Sequence, residues 1–295
     1  MQNYSLHTHT KGFDGSNTVD EMVASAKELG WSRIGISNHF IVYPDIERTR
    51  MYKFAERLGY SAIYSTSFDE AVQKIQDNFD EIDRVRDETG FTIYKAIEAD
   101  FFNTVEWKVG FEDACRKLKP DYVIASAHYV EYDGTLMNMH DMVHLSDEHK
   151  DAIVCRYWNN IRQAVTYGNF DFMAHLDLLK RCGLGTEERW MDEEAKTVDL
   201  IAESKMPVEI NTARMDKIGE PIPTLRMLKL LFQYNIPLFL SDDAHSAAKL
   251  EQNYEKVENL LSQNNLSLPT QPVVKAKRSP VPLNEVIARG RQREG

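Results

Sequence analysis

The chain has 295 residues, 42% hydrophobic and 27% charged, which supplies a packed core and excludes a disordered or collagen-like chain. Thirty-five basic against 46 acidic residues give a formal charge of −11, which argues against a nucleic-acid scaffold but permits a small phosphorylated ligand if cations are bound. No apolar run approaches the ~18 residues that a membrane helix requires. Cys115, Cys155 and Cys182 are scattered and form neither a disulfide framework nor a cysteine zinc site. Met1 to His7 lacks the basic and apolar regions of a signal peptide, so the expected compartment is the reducing cytoplasm.

In chain order, the first strand is expected at Tyr4 to His9. Thr18-Val19-Asp20-Glu21 is a capping-box pattern that opens a helix ending at Gly30. A second strand follows at Arg33 to His39. The mixed segment Tyr43 to Ser67 reads as a long loop with helical pieces, and a helix then runs from about Phe68 to Thr89. Strands at Thr92 to Glu98 and Asp121 to His128 lead to a helix from about Ser146 to Tyr167. The strand Phe170 to His175 precedes a helix at Glu187 to Ser204. Pro207 to Asn211, a helix at Pro223 to Tyr234, and the strand Pro237 to Ser241 complete the pattern. Such alternation predicts a parallel α/β arrangement with seven strands in one domain, residues 1–265. Residues 266–295 read as a proline-containing basic tail that is solvated, with a short helix near Asn284 to Arg289.

Six of the nine histidines fall at or just beyond strand C-termini: His7, His9, His39, His128, His175 and His245. Glu98 and Asp243 hold equivalent positions. In β/α barrels that face gathers residues from distant parts of the chain into one site. Imidazoles and carboxylates without thiolates suit Zn²⁺, Mn²⁺ and Fe²⁺. His7 and His9, two apart on a strand, point to one face and could grip one ion. Each motif alone has an ordinary explanation, a capped turn or a salt-bridged strand end; their shared position is the signal. His140 and His144, with His149 nearby, read instead as an exposed loop and helix start.

The set Leu6-His7-Thr8-His9-Thr10, Ile36-Ser37-Asn38-His39, Glu98-Ala99-Asp100, Ser126-Ala127-His128, Ala174-His175-Leu176-Asp177 and Ser241-Asp242-Asp243-Ala244-His245 resembles the PHP (polymerase and histidinol phosphatase) superfamily. Within it the monofunctional histidinol-phosphate phosphatases look most similar, through Tyr94-Lys95-Ala96-Ile97, His175-Leu176-Asp177-Leu178-Leu179-Lys180 and Glu209-Ile210-Asn211-Thr212. The resemblance implies a distorted seven-stranded (β/α)7 barrel and three divalent ions, Zn, Mn or Fe. His7, His9, Glu98 and Asp243 would hold the first. Glu98 would bridge to the second, completed by His128 and His175. His39, His245 and Asp14 would hold the third, Asp14 being also a natural turn residue in Phe13-Asp14-Gly15-Ser16. Of the doubled Asp242-Asp243, the Asp-x-His spacing selects Asp243. Glu98, Asp243 and His245 are expected to serve the chemistry as well as the ions.

Such ions leave the pocket positive, which suits a phosphate monoester, and a water between two of them loses its proton near neutral pH and can attack phosphorus. Arg214, three residues after Asn211, is the expected phosphate-binding guanidinium, with Arg181 as its rival. The implied activity is hydrolysis of L-histidinol phosphate in histidine biosynthesis, with no nucleic acid or membrane partner. The alternatives are a phosphoesterase acting on nucleotides or oligonucleotides, and a metal-binding module without turnover.

Overall fold

The computed structural model describes residues 2–268. Among them, eleven strands follow in chain order: β1 (Tyr4–Ser5), β2 (Arg33–Ile36), β3 (His39–Val42), β4 (Tyr64–Ser65), β5 (Thr92–Asp100), β6 (Tyr122–Ser126), β7 (Tyr129–Tyr132), β8 (Thr135–Asn138), β9 (Phe172–Met173), β10 (Val208–Asn211) and β11 (Leu238–Ser241). Seven of these pair in parallel in the order β1-β2-β5-β6-β9-β10-β11 and curl into a nearly closed barrel. Between β1 and β11 the seam is held by side chain and bridge. The Gln2 amide donates to Leu240 O at 2.7 Å and accepts from Leu240 N at 3.0 Å, in place of a peptide group. Further along, Thr8 bridges Ala244, with His9 N donating to Ala244 O at 2.9 Å.

The inside of the barrel is filled by Leu6, Ala96, Tyr122, Ile124, Phe172, Ala174 and Phe239. A larger apolar layer lies between the sheet and its helices. These helices are α1 (Val19–Glu28), α2 (Arg50–Leu58), α3 (Phe68–Thr89), α4 (Val105–Leu118), α5 (Met139–Met142), α6 (Asp147–Tyr167), α7 (Met191–Ser204), α8 (Met215–Ile218), α9 (Leu225–Gln233) and α10 (Tyr254–Gln263). The Thr18 capping box forms as its sequence dictates, hydroxyl to Glu21 N and Glu21 carboxylate to Thr18 N. None of the helices is long and apolar enough to cross a membrane.

Several elements differ from expectation. The first strand keeps a regular ladder only to Ser5, and beyond it side chains share the pairing with scattered backbone bonds. Thr8 Oγ1 donates to Gly35 O, Ser37 Oγ accepts from Thr8 N, and Asn38 Oδ1 accepts from Thr10 N. The residues after β2 do not end the sheet: β3 pairs with β5 and carries β4, extending the wall above the barrel rim. The stretch after His128, for which no strand was expected, is the hairpin β7–β8. Its turn residues Asp133 and Gly134 both have positive φ, 54° and 68°, as a type I′ turn demands. α4, capped by Thr104, and α10 were not anticipated. Leu266 and Leu268 pack partly buried against the core. The tail helix expected near Asn284 lies outside the described residues.

Candidate metal centre

The parallel register places the strand C-termini at one end of the barrel, and Glu98 stands at its centre. His39 on β3 is its register partner on β5. Glu98 Oε1 lies 3.0 Å from His175 Nε2 and 3.6 Å from His128 Nε2. Its other oxygen, Oε2, lies 2.8 Å from His39 Nδ1, 3.3 Å from His7 Nε2 and 3.6 Å from His9 Nε2. The carboxylate thus faces two groups of imidazoles at once.

Four overlapping clusters bring ligand atoms within 4.8 Å of one another: His7, His9 and Asp243; His7, Glu98 and His175; His39, Glu98 and His128; and His9, Asp14, His39 and His245. Asp14 Oδ2 sits 3.2 Å from His39 Nε2 and 3.0 Å from His245 Nε2. Asp243 Oδ1 sits 3.1 Å from His9 Nε2. All nine residues expected at the ions therefore meet in one place. Within the site His7 Nε2, both ring nitrogens of His9, His39 Nδ1, Asp14 Oδ1 and Glu98 Oε2 are buried without a hydrogen-bond partner. Polar atoms are rarely left so, and a divalent cation is what a converging set of imidazole nitrogens and carboxylate oxygens satisfies.

The electrostatics of the cluster's own side chains express the same arrangement. Burial would raise Glu98, but the imidazoles of His39, His7 and His128 outweigh it and hold the carboxyl well below its usual range. Burial, then repulsion from His245 and His39, depresses His9 to about 4, so its ring is neutral and keeps one nitrogen lone pair for a cation. Two of these residues sit at positive φ, His175 at 24° and Asp243 at 45°. Such backbone costs on the order of 1–3 kcal/mol and persists only where surroundings hold it.

The surroundings are carboxylates and amides that sequence reasoning did not single out. Glu209 Oε2 lies 2.9 Å from His7 Nδ1, and its Oε1 accepts from His175 N and from Asn211 Nδ2, each at 3.0 Å. Asp100 Oδ2 lies 2.8 Å from His128 Nδ1 while Oδ1 accepts from the same residue's backbone N at 2.7 Å. Asn211 Nδ2 also reaches Asp243 Oδ2 at 3.2 Å. Asp242 turns away from the cluster. It accepts from Ser5 Oγ and from Glu251 N, both at 2.7 Å, and so ties down the segment after β11. Glu209 and Asp100 were legible in principle, since each is an acid with apolar neighbours in its strand.

A cavity of about 530 Å³ opens above the cluster. Asp14, His39, Glu98, His128, Asp243 and His245 form its floor, and Arg181 and Arg214 both line it. Neither guanidinium has an ion pair among the described residues, and Arg214 is close enough to lower the Arg181 pKa, after burial. His140, expected in an exposed loop, sits in α5 and lines this cavity, with Cys182 Sγ 3.9 Å from its Nδ1. It belongs to no ligand cluster among the described residues.

The family model for the PHP domain matches residues 5–213, about seven-tenths of the chain. The chain belongs to the PHP domain family. This PHP domain protein resembles in fold the histidinol phosphate phosphatase of Lactococcus lactis solved with zinc, L-histidinol and phosphate. That likeness has a TM-score of 0.69 at 17% identity, over 93% of this chain and 98% of that one. It also resembles a Listeria monocytogenes protein described as the histidinol phosphatase hisK, with a TM-score of 0.67 at 17% identity, over 86% of this chain and 99% of that one. No curated protein matches the sequence significantly.

Proposed function

We propose that this PHP domain protein is a metal-dependent phosphatase of small phosphate monoesters, with L-histidinol phosphate as its substrate. The observation that carries the reading is the convergence of four overlapping ligand clusters, with buried partnerless nitrogens and oxygens, on one carboxylate, Glu98. In this reading Asp14, His39 and His245 would hold one ion with His9 beside them. His7, His9 and Asp243 would hold another, and Glu98, His128 and His175 would hold a third. Divalent ions there supply Lewis acidity toward the phosphate oxygens and lower the pKa of a water positioned for in-line attack.

The chain's own residues do the rest. Arg214 and Arg181, half-buried and unpaired in the cavity, grip the phosphate oxygens, where planar guanidinium geometry suits them. Glu209 and Asp100 fix the ring orientations of His7 and His128. The choice of alcohol follows the Lactococcus protein, which was solved with L-histidinol and phosphate. A cytoplasmic location accords with Cys115, Cys155 and Cys182 all being free thiols.

The test is phosphate release by metal-reconstituted protein from L-histidinol phosphate, p-nitrophenyl phosphate and adenosine 3′,5′-bisphosphate. A kcat/KM for the first about 100-fold or more above the others supports the substrate assignment. Preference for the nucleotide keeps the phosphatase and discards the pathway. Bound metal with no turnover of any ester discards both.

A further inference from the structure

The cavity wall carries three tyrosines, Tyr60, Tyr64 and Tyr129, none of them in a ligand cluster, and the last two are hydrogen-bonded to each other. Side chains alternate along β3, so His39 and Ile41 face the same side. Ile41 is the register partner of Tyr64 on β4, which sets Tyr64 on the face that carries His39. Tyr129, one residue after His128, meets it there: Tyr129 Oη donates to Tyr64 Oη at 2.7 Å, and both rings are buried. Both line the cavity that opens on the ligand cluster. A phenol has one proton to give, and Tyr64 is the acceptor of this bond, so its own proton remains for another acceptor. None is found for it among the described residues. Burial keeps that hydroxyl protonated, against the lowering effect of the Tyr129 bond and with the charges of Asp100 and Asp14 nearby adding to it.

A phosphate held by ions at the cluster would have its ester oxygen in the same cavity that Tyr64 lines. Cleavage of an alkyl ester creates an alkoxide that leaves slowly unless it is protonated. We propose that Tyr64, oriented by Tyr129, donates its proton to the leaving-group oxygen of the substrate. The inference rests on the phosphatase reading. As the attacking water forms its bond to phosphorus, the P–O ester bond breaks and its electron pair goes to the leaving oxygen, which takes the Tyr64 proton. One water proton stays on the phosphate and the other restores Tyr64, so the sum is ester plus water giving alcohol and hydrogen phosphate.

The experiment compares esters that need the proton with one that does not. In metal-reconstituted Tyr64→Phe, kcat on L-histidinol phosphate and on other alkyl phosphates is expected to fall about 100-fold. On p-nitrophenyl phosphate, whose phenolate leaves unprotonated, the fall should be less than about threefold. Equal loss on both esters, or none on either, overturns the role while leaving the phosphatase reading intact. A wild-type leaving-group series guards against a misfolded variant. Rates nearly independent of leaving-group pKa support the donor, and a steep dependence overturns it. Wild-type protein inactive on every ester removes both proposals together.

Discussion

Glu209 Oε2 stands 2.9 Å from His7 Nδ1, and both side chains are fully buried. With a cation bound, this contact would make Nδ1 the donor and leave the Nε2 lone pair, on the side of Glu98 and Asp243, for the ion. The same carboxylate holds His175, whose backbone sits at φ 24°. One acid on β10 therefore touches two candidate ligands. Glu209→Gln is expected to weaken metal affinity about 10–100-fold with the fold retained. Titration calorimetry and metal analysis after dialysis read this directly, and an unchanged Kd would show that the ring is held by other means.

The metal-free cluster is expected to release protons when ions bind. Burial opposes protonation of His245, but the Asp14 carboxylate, aided by Asp243, outweighs it and pushes the ring up to about 9. Burial is likewise outweighed at His39 by Glu98 and Asp14. The His245 ring is then protonated at pH 7, and both rings must be neutral to bind a cation. Apparent metal affinity should rise with pH up to about 9. Calorimetry at pH 7 in two buffers of different ionisation enthalpy should detect the released protons; buffer-independent heats would refute it. Without metal, His245 binds its proton more tightly folded than unfolded, where its pKa is about 6.5. Its contribution to stability is complete below that pH and is lost as the pH rises through about 9.

A third expectation concerns the barrel interior. A Cβ on Gly35 would stand 1.8 Å from Tyr122 Oη and 3.1 Å from Leu6 Cα. Tyr122 fills the barrel and donates to Leu6 O, so it has nowhere to retreat. Gly35→Ala should lower Tm by several degrees, an effect on the order of 1–3 kcal/mol for overpacking. Removing the hydroxyl as well, in Gly35→Ala with Tyr122→Phe, should recover part of that loss. Thermal unfolding of the two variants decides it.

Much of this was legible in the sequence because period and position coincide. A strand that ends in His or Glu, repeated around a parallel sheet, must deliver those groups to one rim, and that inference needs no coordinates. The ladder beyond the rim was harder. Phe40-Ile41-Val42 continues the apolar run past His39, yet β4 has only two residues and sits in a charged, tyrosine-rich segment with no alternation to read. The hairpin at Asp133-Gly134 was readable from its turn dipeptide. Asp100 and Glu209 lay in plain view as acids in apolar strands, but which imidazole each one orients depends on the register between strands far apart in sequence.

Arg214 and Arg181 share one cavity wall but come from different loops, after β10 and after β9. If each binds phosphate, Arg214→Met and Arg181→Met should each cost about 10–100-fold in kcat/KM, the scale of a lost hydrogen bond to a charged group. Lysine should restore only part, lacking the guanidinium fork. Inhibition by inorganic phosphate should weaken in parallel. Loss of activity with phosphate inhibition unchanged would assign that arginine to the alcohol instead.

The loop that bears Arg181 is anchored by its neighbour. Lys180 Nζ lies 3.0 Å from Asp177 Oδ2, 2.8 Å from Glu194 Oε1 and 3.0 Å from Thr224 Oγ1, using all three donors while only 6% exposed. Arg226 meets the other Glu194 oxygen at 3.0 Å, so two cations and two anions balance in a buried group. Lys180→Met would leave Asp177 charged and without its ammonium in the interior. A destabilisation of about 3–5 kcal/mol is expected, because the uncompensated charge costs more than the pair contributes. Adding Asp177→Asn should cost less than the sum of the two single changes, since it removes the charge that the first stranded. Urea unfolding of the set measures this. Strict additivity would mean that Lys180 and Asp177 are not energetically coupled, and that the loop carrying Arg181 is held chiefly through Glu194 and Arg226.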